Sequence, residues 1–182
     1  IVEPEVLMDG AHDIERCESV TEWVLKEVFQ ELFYAKVLLE GMVLKPNMVI
    51  AGKKSPKQAG AAEVAERTIK ILKRCVPPAV PGIAFLSGGQ SDEEATAHLN
   101  AMNAANPSLP WALTFSYGRA LQAAPQKAWS GMAENVVPSV ESWNVVSRVQ
   151  LAVSAVMRRS SSSVRLIVLD PRSIVGPAVA MV

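Results

Sequence analysis

Short apolar segments alternate four times with longer stretches of helical periodicity, and this alternation constrains the fold of the chain most. Each apolar segment is predicted to be a strand, and the four are residues 1–6, 37–44, 82–86 and 111–115. The helical patterns cover about residues 13–34, 61–74, 91–104 and 119–129. Buried strands that alternate with helices form parallel sheets covered by helices. The chain is therefore predicted to be an α/β protein, either a small doubly wound sheet or half of an eight-stranded barrel.

The charge balance excludes some classes of partner. Eighteen Lys and Arg residues stand against eighteen Asp and Glu residues, so the formal net charge is zero. Chains that bind bulk nucleic acid or anionic membrane usually carry a basic excess, so neither partner is expected. No apolar run approaches the roughly 20 residues that span a bilayer. An anion bound by this chain must therefore be held by a local cluster.

The cysteines and histidines do not suggest a metal site. Cys17 and Cys75 are far apart, His12 and His98 are the two histidines, and none of them has a metal-binding spacing. We expect two reduced, packed thiols, a turn or cap role for His12 and a solvated His98. Neither a metal nor an organic cofactor is predicted.

Lys45 lies at the carboxyl end of the second apolar segment, where a charged amine is costly to bury unless it is paired or deprotonated. With a period of two, Leu39, Gly41, Val43 and Lys45 share one face. In a barrel that face is the interior, and active sites form at the carboxyl ends of the strands. A neutral lysine amine attacks carbonyl carbons. Lys45 is therefore a candidate nucleophile, with a strand-end lysine that reaches solvent as the alternative.

Glu3 and Glu5 lie two residues apart on the first predicted strand, so both project from one face. If that face meets the same cavity as Lys45, one carboxylate can transfer protons during carbonyl chemistry. The alternative is a strand edge with two solvated acids.

Two glycine-bearing turns follow the third and fourth predicted strands, each at the point where a helix begins. Free backbone N–H groups, a helix N-terminus and an arginine together suit a phosphate group. Phosphate sites in barrels commonly come from the loops after the last two strands. The candidate phosphate-binding residues are Ser87 and Gly88 in the first turn, and Ser116, Tyr117, Gly118 and Arg119 in the second.

Six stretches of the chain resemble class I fructose-bisphosphate aldolases and occur in the same order as in that family. They are IVEPE at residues 1–5, LLEGMVLKPNMV at 38–49, VPPAVPGIAFLSGGQS at 76–91, AHLNAMN at 97–103, PWALTFSYGRALQ at 110–122 and KAWSG at 127–131. The resemblance covers about residues 1–136. It implies an eight-stranded (β/α) TIM barrel, of which this stretch resembles strands five to eight.

The resemblance also implies the residue roles. Lys45 matches the lysine that forms a Schiff base with the substrate ketone, Glu3 matches an acid/base glutamate, and Glu5 matches its neighbour in the site. Ser87 and Gly88 match one phosphate-binding turn. Gly118 and Arg119 match the other, which Ser116 and Tyr117 line. The implied activity is that of a lyase of glycolysis and gluconeogenesis, which reversibly cleaves fructose 1,6-bisphosphate into dihydroxyacetone phosphate and glyceraldehyde 3-phosphate.

The resemblance further implies a sugar-phosphate substrate, a cytoplasmic location with a plastid as the alternative, and a homotetramer if a full-length chain exists. The family's first four strands are not matched here. Residues 137–182 are expected to form a divergent tail that lacks the family's C-terminal tyrosine. An alternative function is therefore a truncated, catalytically inactive aldolase paralogue that acts as a binding module. A transaldolase-like Schiff-base enzyme is a third possibility, which the two phosphate turns disfavour.

Overall fold

The computed structural model describes residues 1–139 and 141, with the side chains of residues 119–121 outside the description. Most of the expected tail at 137–182 therefore lies outside the described residues. The elements are α1 (Ile14–Tyr34), a 3₁₀ turn (Leu39–Gly41), α2 (Ala61–Cys75), β1 (Gly82–Phe85), α3 (Asp92–Ala105), β2 (Ala112–Phe115), α4 (Gly118–Trp129) and a second 3₁₀ turn (Ala133–Asn135). All four predicted helices are confirmed, each boundary within one residue of its predicted position.

The extended segments of the described chain lie side by side in sequence order, all parallel. β1 and β2 pair in register from Gly82 opposite Ala112 to Phe85 opposite Phe115. Leu44 forms isolated parallel bridges with Val2 on one side and Ile83 on the other. Consecutive βα units placed next to one another in this way form part of a barrel wall.

The two N-terminal segments are much less regular than the sequence predicts. Of residues 1–6 and 37–44, only Val2 and Leu44 form strand bridges, and Leu39–Gly41 is a 3₁₀ turn. Leu39 and Gly41 therefore do not continue the face of Lys45. Pro4 has no N–H to donate to a ladder, and the N–H of Val6 donates to Asn47 Oδ1 at 3.0 Å instead of to a backbone carbonyl.

The core lies between the parallel segments and the helices that cover them. α2 packs against α1 and α3, and α3 also contacts β2. α2 turns Val64, Ile69 and Leu72 inward, a spacing typical of an amphipathic helix. In α1 the fully buried face is formed by Ile14, Cys17, Glu18, Thr21 and Leu25, and the apolar residues 20, 24, 28 and 32 are half-buried. The core also holds Leu44, Ile83, Phe85, Leu99, Met102 and Leu113.

A charged cluster joins α1 to α2. The buried carboxylate of Glu18 accepts hydrogen bonds from Arg67 Nη1 at 2.7 Å and from Lys70 Nζ. Arg67 also contacts Glu15 and Glu63. Burial alone would raise the pKa of Glu18, but the hydrogen bonds from Lys70 and Arg67 outweigh it and hold that pKa below its usual value. The charged form of Glu18 therefore stabilises the packing of the two helices.

We expect Glu18→Gln to lower the free energy of unfolding by about 1–2 kcal/mol at pH 7, because it leaves two cations short of a partner. A carboxyl whose pKa is depressed by folding stabilises the fold above its unfolded-state pKa. The difference from wild type should therefore shrink as the pH falls below about 4.5 and through the folded-state pKa. Urea unfolding at several pH values measures this difference in the free energy of unfolding. Glu27→Gln, at an exposed position on the same helix, is the control. A pH-independent difference would contradict this account.

Candidate active site

Backbone hydrogen bonds align the carboxyl ends of all four parallel segments. Each bond runs from the N–H of the residue where one segment ends to a carbonyl of its neighbour. These bonds are Lys45 to Val2 at 2.7 Å, Leu86 to Pro46 at 3.1 Å and Ser116 to Phe85 at 2.8 Å. They bring the predicted site residues of four separate segments to one edge.

Glu3 and Lys45 meet on the open face of the parallel segments. Met42 and Leu44 point into the core, so the alternation places Lys45 on the opposite side. Lys45 Nζ donates to Glu3 Oε2 at 2.8 Å, with the lysine side chain 22% exposed and the glutamate side chain 54% exposed. The hydrogen bond and the positive charge of Lys45 lower the pKa of Glu3. Glu3 is therefore a carboxylate at neutral pH, and its charge is paired with that of Lys45.

One cavity of about 270 Å³ collects nearly all the predicted site residues. Its lining joins the two carboxylates and the lysine to both glycine turns: Glu3, Glu5, Lys45, Leu86, Ser87, Gly88, Ser116, Tyr117 and Gly118. Arg119 follows as the second residue of α4, but its side chain lies outside the described part of the structure. The cavity thus presents an amine, two carboxylates and a helix N-terminus to one space.

The first glycine turn fits closely against the first segment. A Cβ on Gly88 would lie 2.5 Å from Glu5 Oε1. Gly89 has a φ of +82°, and a Cβ there would lie 2.5 Å from Met8 Cβ. The turn is closed by the Gln90 N–H, which donates to the Ser87 carbonyl at 3.1 Å. Glycine is therefore required at 89 for both space and backbone conformation, whereas a side chain at 88 would have to displace the exposed Glu5 carboxylate and the end of Leu86.

Tyr117, which lines the cavity, and His98 of α3 form hydrogen bonds that the sequence does not reveal. Tyr117 is buried, and its hydroxyl donates to the Ala95 carbonyl of α3 at 3.2 Å. His98, predicted to be solvated, is only 9% exposed, and its Nδ1 lies 2.6 Å from Gln90 Oε1. The solvated prediction is wrong because His98 faces the same side of α3 as buried Ala95, Leu99 and Met102. The helical spacing of His98 from these apolar residues could have predicted its burial.

Two further properties concern the described residues alone. Within residues 1–139 and 141, no group of three or more His, Cys, Asp or Glu side chains could hold a metal ion. In the same part of the chain, no helix has the length and apolar character to cross a membrane.

Comparison with known proteins supports the resemblance seen in the sequence. The family model "Fructose-bisphosphate aldolase class-I" matches residues 1–164, which is most of the chain. The chain belongs to the class I fructose-bisphosphate aldolase family. Its fold is accordingly that of the family's TIM barrel, of which the described elements form a part.

Individual relatives of this aldolase-family chain agree. It is 61% identical over 136 residues to cytosolic fructose-bisphosphate aldolase 5 of Arabidopsis thaliana, and 54% identical over 141 residues to fructose-bisphosphate aldolase C of Rattus norvegicus. These alignments cover 75% and 78% of this chain but 38% and 39% of the relatives. The chain therefore spans well under half the length of the curated relatives it matches.

A solved aldolase structure has the same arrangement of elements. The aldolase of Plasmodium falciparum, solved in complex with TRAP and a small-molecule inhibitor, superposes with a TM-score of 0.77 at 46% identity. The match covers 88% of this chain and 45% of that one.

We expect Gly89→Ala to destabilise the chain by about 2 kcal/mol or more, because it combines a positive φ with a clash against Met8. Gly41→Ala is the matched control, since its φ is not in the left-handed region and its Cβ would meet nothing within 4 Å. Urea denaturation of the two variants measures the difference. Equal midpoints would show that the turn does not adopt this conformation.

Proposed function

We propose that this chain supplies the Schiff-base half of a class I fructose-bisphosphate aldolase active site. The reaction is the reversible, metal-independent cleavage of fructose 1,6-bisphosphate into dihydroxyacetone phosphate and glyceraldehyde 3-phosphate. The observation that carries the proposal is the 2.8 Å contact of Lys45 Nζ with Glu3 in a cavity that both glycine turns also line. The family membership and the names of the relatives agree with it.

The Lys45–Glu3 pair can carry the carbonyl chemistry. Glu3 accepts a proton from the Lys45 ammonium, and the neutral Nζ attacks the substrate ketone carbon. Return of protons to the carbinolamine oxygen expels water and leaves a protonated imine. The bond between the third and fourth substrate carbons then breaks, its electron pair moves toward the imine nitrogen, and the proton of the substrate's fourth hydroxyl goes to a base as the aldehyde forms. Glu5 lines the same cavity and adds a second carboxylate to it.

The two glycine turns are the proposed phosphate sites. Ser87 and Gly88 offer a hydroxyl and a backbone N–H at the end of β1. Gly118 is the first residue of the 12-residue α4, whose N-terminal N–H groups and dipole favour an anion. Arg119 is proposed as the side chain that pairs with the second phosphate. Recognition of a phosphate at both turns would select a bisphosphorylated ketose over a sugar without phosphates.

We expect sodium borohydride to trap dihydroxyacetone phosphate on Lys45 of the 182-residue chain, because Glu3 lies within proton-transfer distance of Nζ. Peptide mass spectrometry should find the adduct on Lys45 well above the exposed Lys26 and Lys53. Glu3→Gln should slow trapping by roughly tenfold or more, since it removes the proton acceptor.

Lys45→Arg is the control for that experiment, because it keeps the positive charge and removes the nucleophile. Modification spread evenly over the lysines of the folded chain would overturn the assignment of Lys45.

We also expect the isolated chain to show little or no steady-state cleavage of fructose 1,6-bisphosphate. In the described part, Val2 and β2 have backbone partners on one side only, and the face that carries Lys45 is open to solvent. A coupled assay of glyceraldehyde 3-phosphate formation measures this. Turnover at the rate of a full-length aldolase would contradict it.

A second candidate function is a non-catalytic module that binds sugar phosphates or intact aldolase subunits. The observation that favours it is the cavity itself, whose two glycine turns bring hydroxyl and backbone N–H groups together without need of a reaction. Co-precipitation with a full-length aldolase tests this function. The absence of both association and phosphate binding would count against it. Either function is proposed for the cytosol, the compartment named for the Arabidopsis relatives, and a homo-oligomer is proposed for a full-length chain.

A further inference from the structure

The two glycine turns are both attached to one helix, α3, through side-chain hydrogen bonds. Tyr117, which precedes Gly118, donates to the Ala95 carbonyl at 3.2 Å. Gln90, which closes the turn of Ser87 and Gly88, meets His98 Nδ1 at 2.6 Å. Ala95 and His98 lie three residues apart and are both buried, so one face of α3 holds both attachments.

The surroundings of Tyr117 assign its hydroxyl to α3. Burial, reinforced by the charge of Asp92, raises the pKa of Tyr117, so the phenol stays protonated and acts as a donor. The ring also packs against Phe115 with centroids 5.0 Å apart. The hydroxyl is therefore occupied at Ala95 and holds the second turn in place.

The surroundings of His98 assign its ring to Gln90. Burial lowers the pKa of His98, against the opposing effect of Glu94, so the ring is neutral at pH 7. Oε1 of Gln90 can only accept, so we assign the ring proton to Nδ1. Nε2 of Gln90 is buried without a partner among the described residues. The contact with His98 is therefore the one hydrogen bond of the Gln90 side chain in the described part of the chain.

We propose that Tyr117 and His98 are positioning residues: through them α3 fixes the separation of the two glycine turns, and so sets the preference of the site for phosphorylated substrates. The inference rests on the proposed function and deepens it. In this role neither the Tyr117 hydroxyl nor the His98 ring has to contact the substrate. The backbone bonds at the strand ends align the turns along one edge, and the two side-chain bonds fix them against the covering helix.

Borohydride trapping on Lys45 of the full 182-residue chain tests the proposal by comparing dihydroxyacetone phosphate with dihydroxyacetone. Tyr117→Phe removes one hydroxyl, and His98→Leu removes the ring nitrogen while it keeps apolar bulk. Each should raise the half-saturating concentration of dihydroxyacetone phosphate by roughly fivefold, the effect of one lost hydrogen bond. The half-saturating concentration of dihydroxyacetone should rise less than that of dihydroxyacetone phosphate. Variants that only reduce the folded fraction would lower trapping of both ketones equally, and that outcome would overturn the proposal.

Matched variants sharpen the test. Tyr34→Phe removes the hydroxyl of the other tyrosine, which is 67% exposed at the end of α1, and should change neither constant. His98→Gln retains an N–H donor and should recover part of the preference for the phosphorylated ketone. An equal loss in His98→Gln and His98→Leu would contradict the role of the hydrogen bond.

A second readout separates this proposal from the proposed function. If wild type forms no adduct on Lys45 with either ketone, the proposed Schiff-base function fails, and inorganic phosphate is titrated while the backbone amide signals of Gly88 and Gly118 are followed by NMR. Weaker shifts of both amides in Tyr117→Phe and His98→Leu than in wild type would still support positioning by α3. Equal shifts in all variants, or none in wild type, would overturn it.

Discussion

Backbone pairing around Leu44 is the constraint on which the rest of the structure depends. The Leu44 N–H donates to Gly82 at 3.2 Å, and the Leu44 carbonyl accepts from Ala84 at 2.8 Å. On the other side, the N–H of Val2 donates to Val43 and that of Lys45 to Val2. Leu44 itself is fully buried. A single extended stretch thus joins the first segment to β1 and sets the position of Lys45 between Glu3 and the first glycine turn.

The helices could be predicted from the sequence because their signals are local. Asp13 caps α1, and Ser91 and Glu94 form a capping box at α3, both visible in the sequence. The extents of the first two strands could not be predicted, because pairing depends on distant neighbours. Residues 37–44 are apolar except for Glu40 and Gly41, yet Leu39–Gly41 forms a 3₁₀ turn and Leu38 is exposed.

In the site, too, local features could be predicted from the sequence and contacts between distant segments could not. The period of two correctly places Glu3 and Glu5 on the face that meets Lys45, and the strand-end position of the glycine turns correctly places them at the same edge. The roles of these residues stay predictions. The hydrogen bonds of Tyr117 and His98 could not be predicted, because each joins groups brought together only by packing of α3 against the sheet.

Amide hydrogen exchange of Lys45 and Ala84, followed by NMR on the full chain, tests the central claim most directly. The two N–H groups form the bonds that join the first segment to Leu44 and Leu44 to β1. We predict that both exchange on the order of 100-fold more slowly than in an unfolded chain, because both bonds belong to one packed unit. A protected Ala84 with Lys45 exchanging at the unfolded rate would contradict the account. It would mean that the first segment does not pair and that Glu3 is not held beside Lys45.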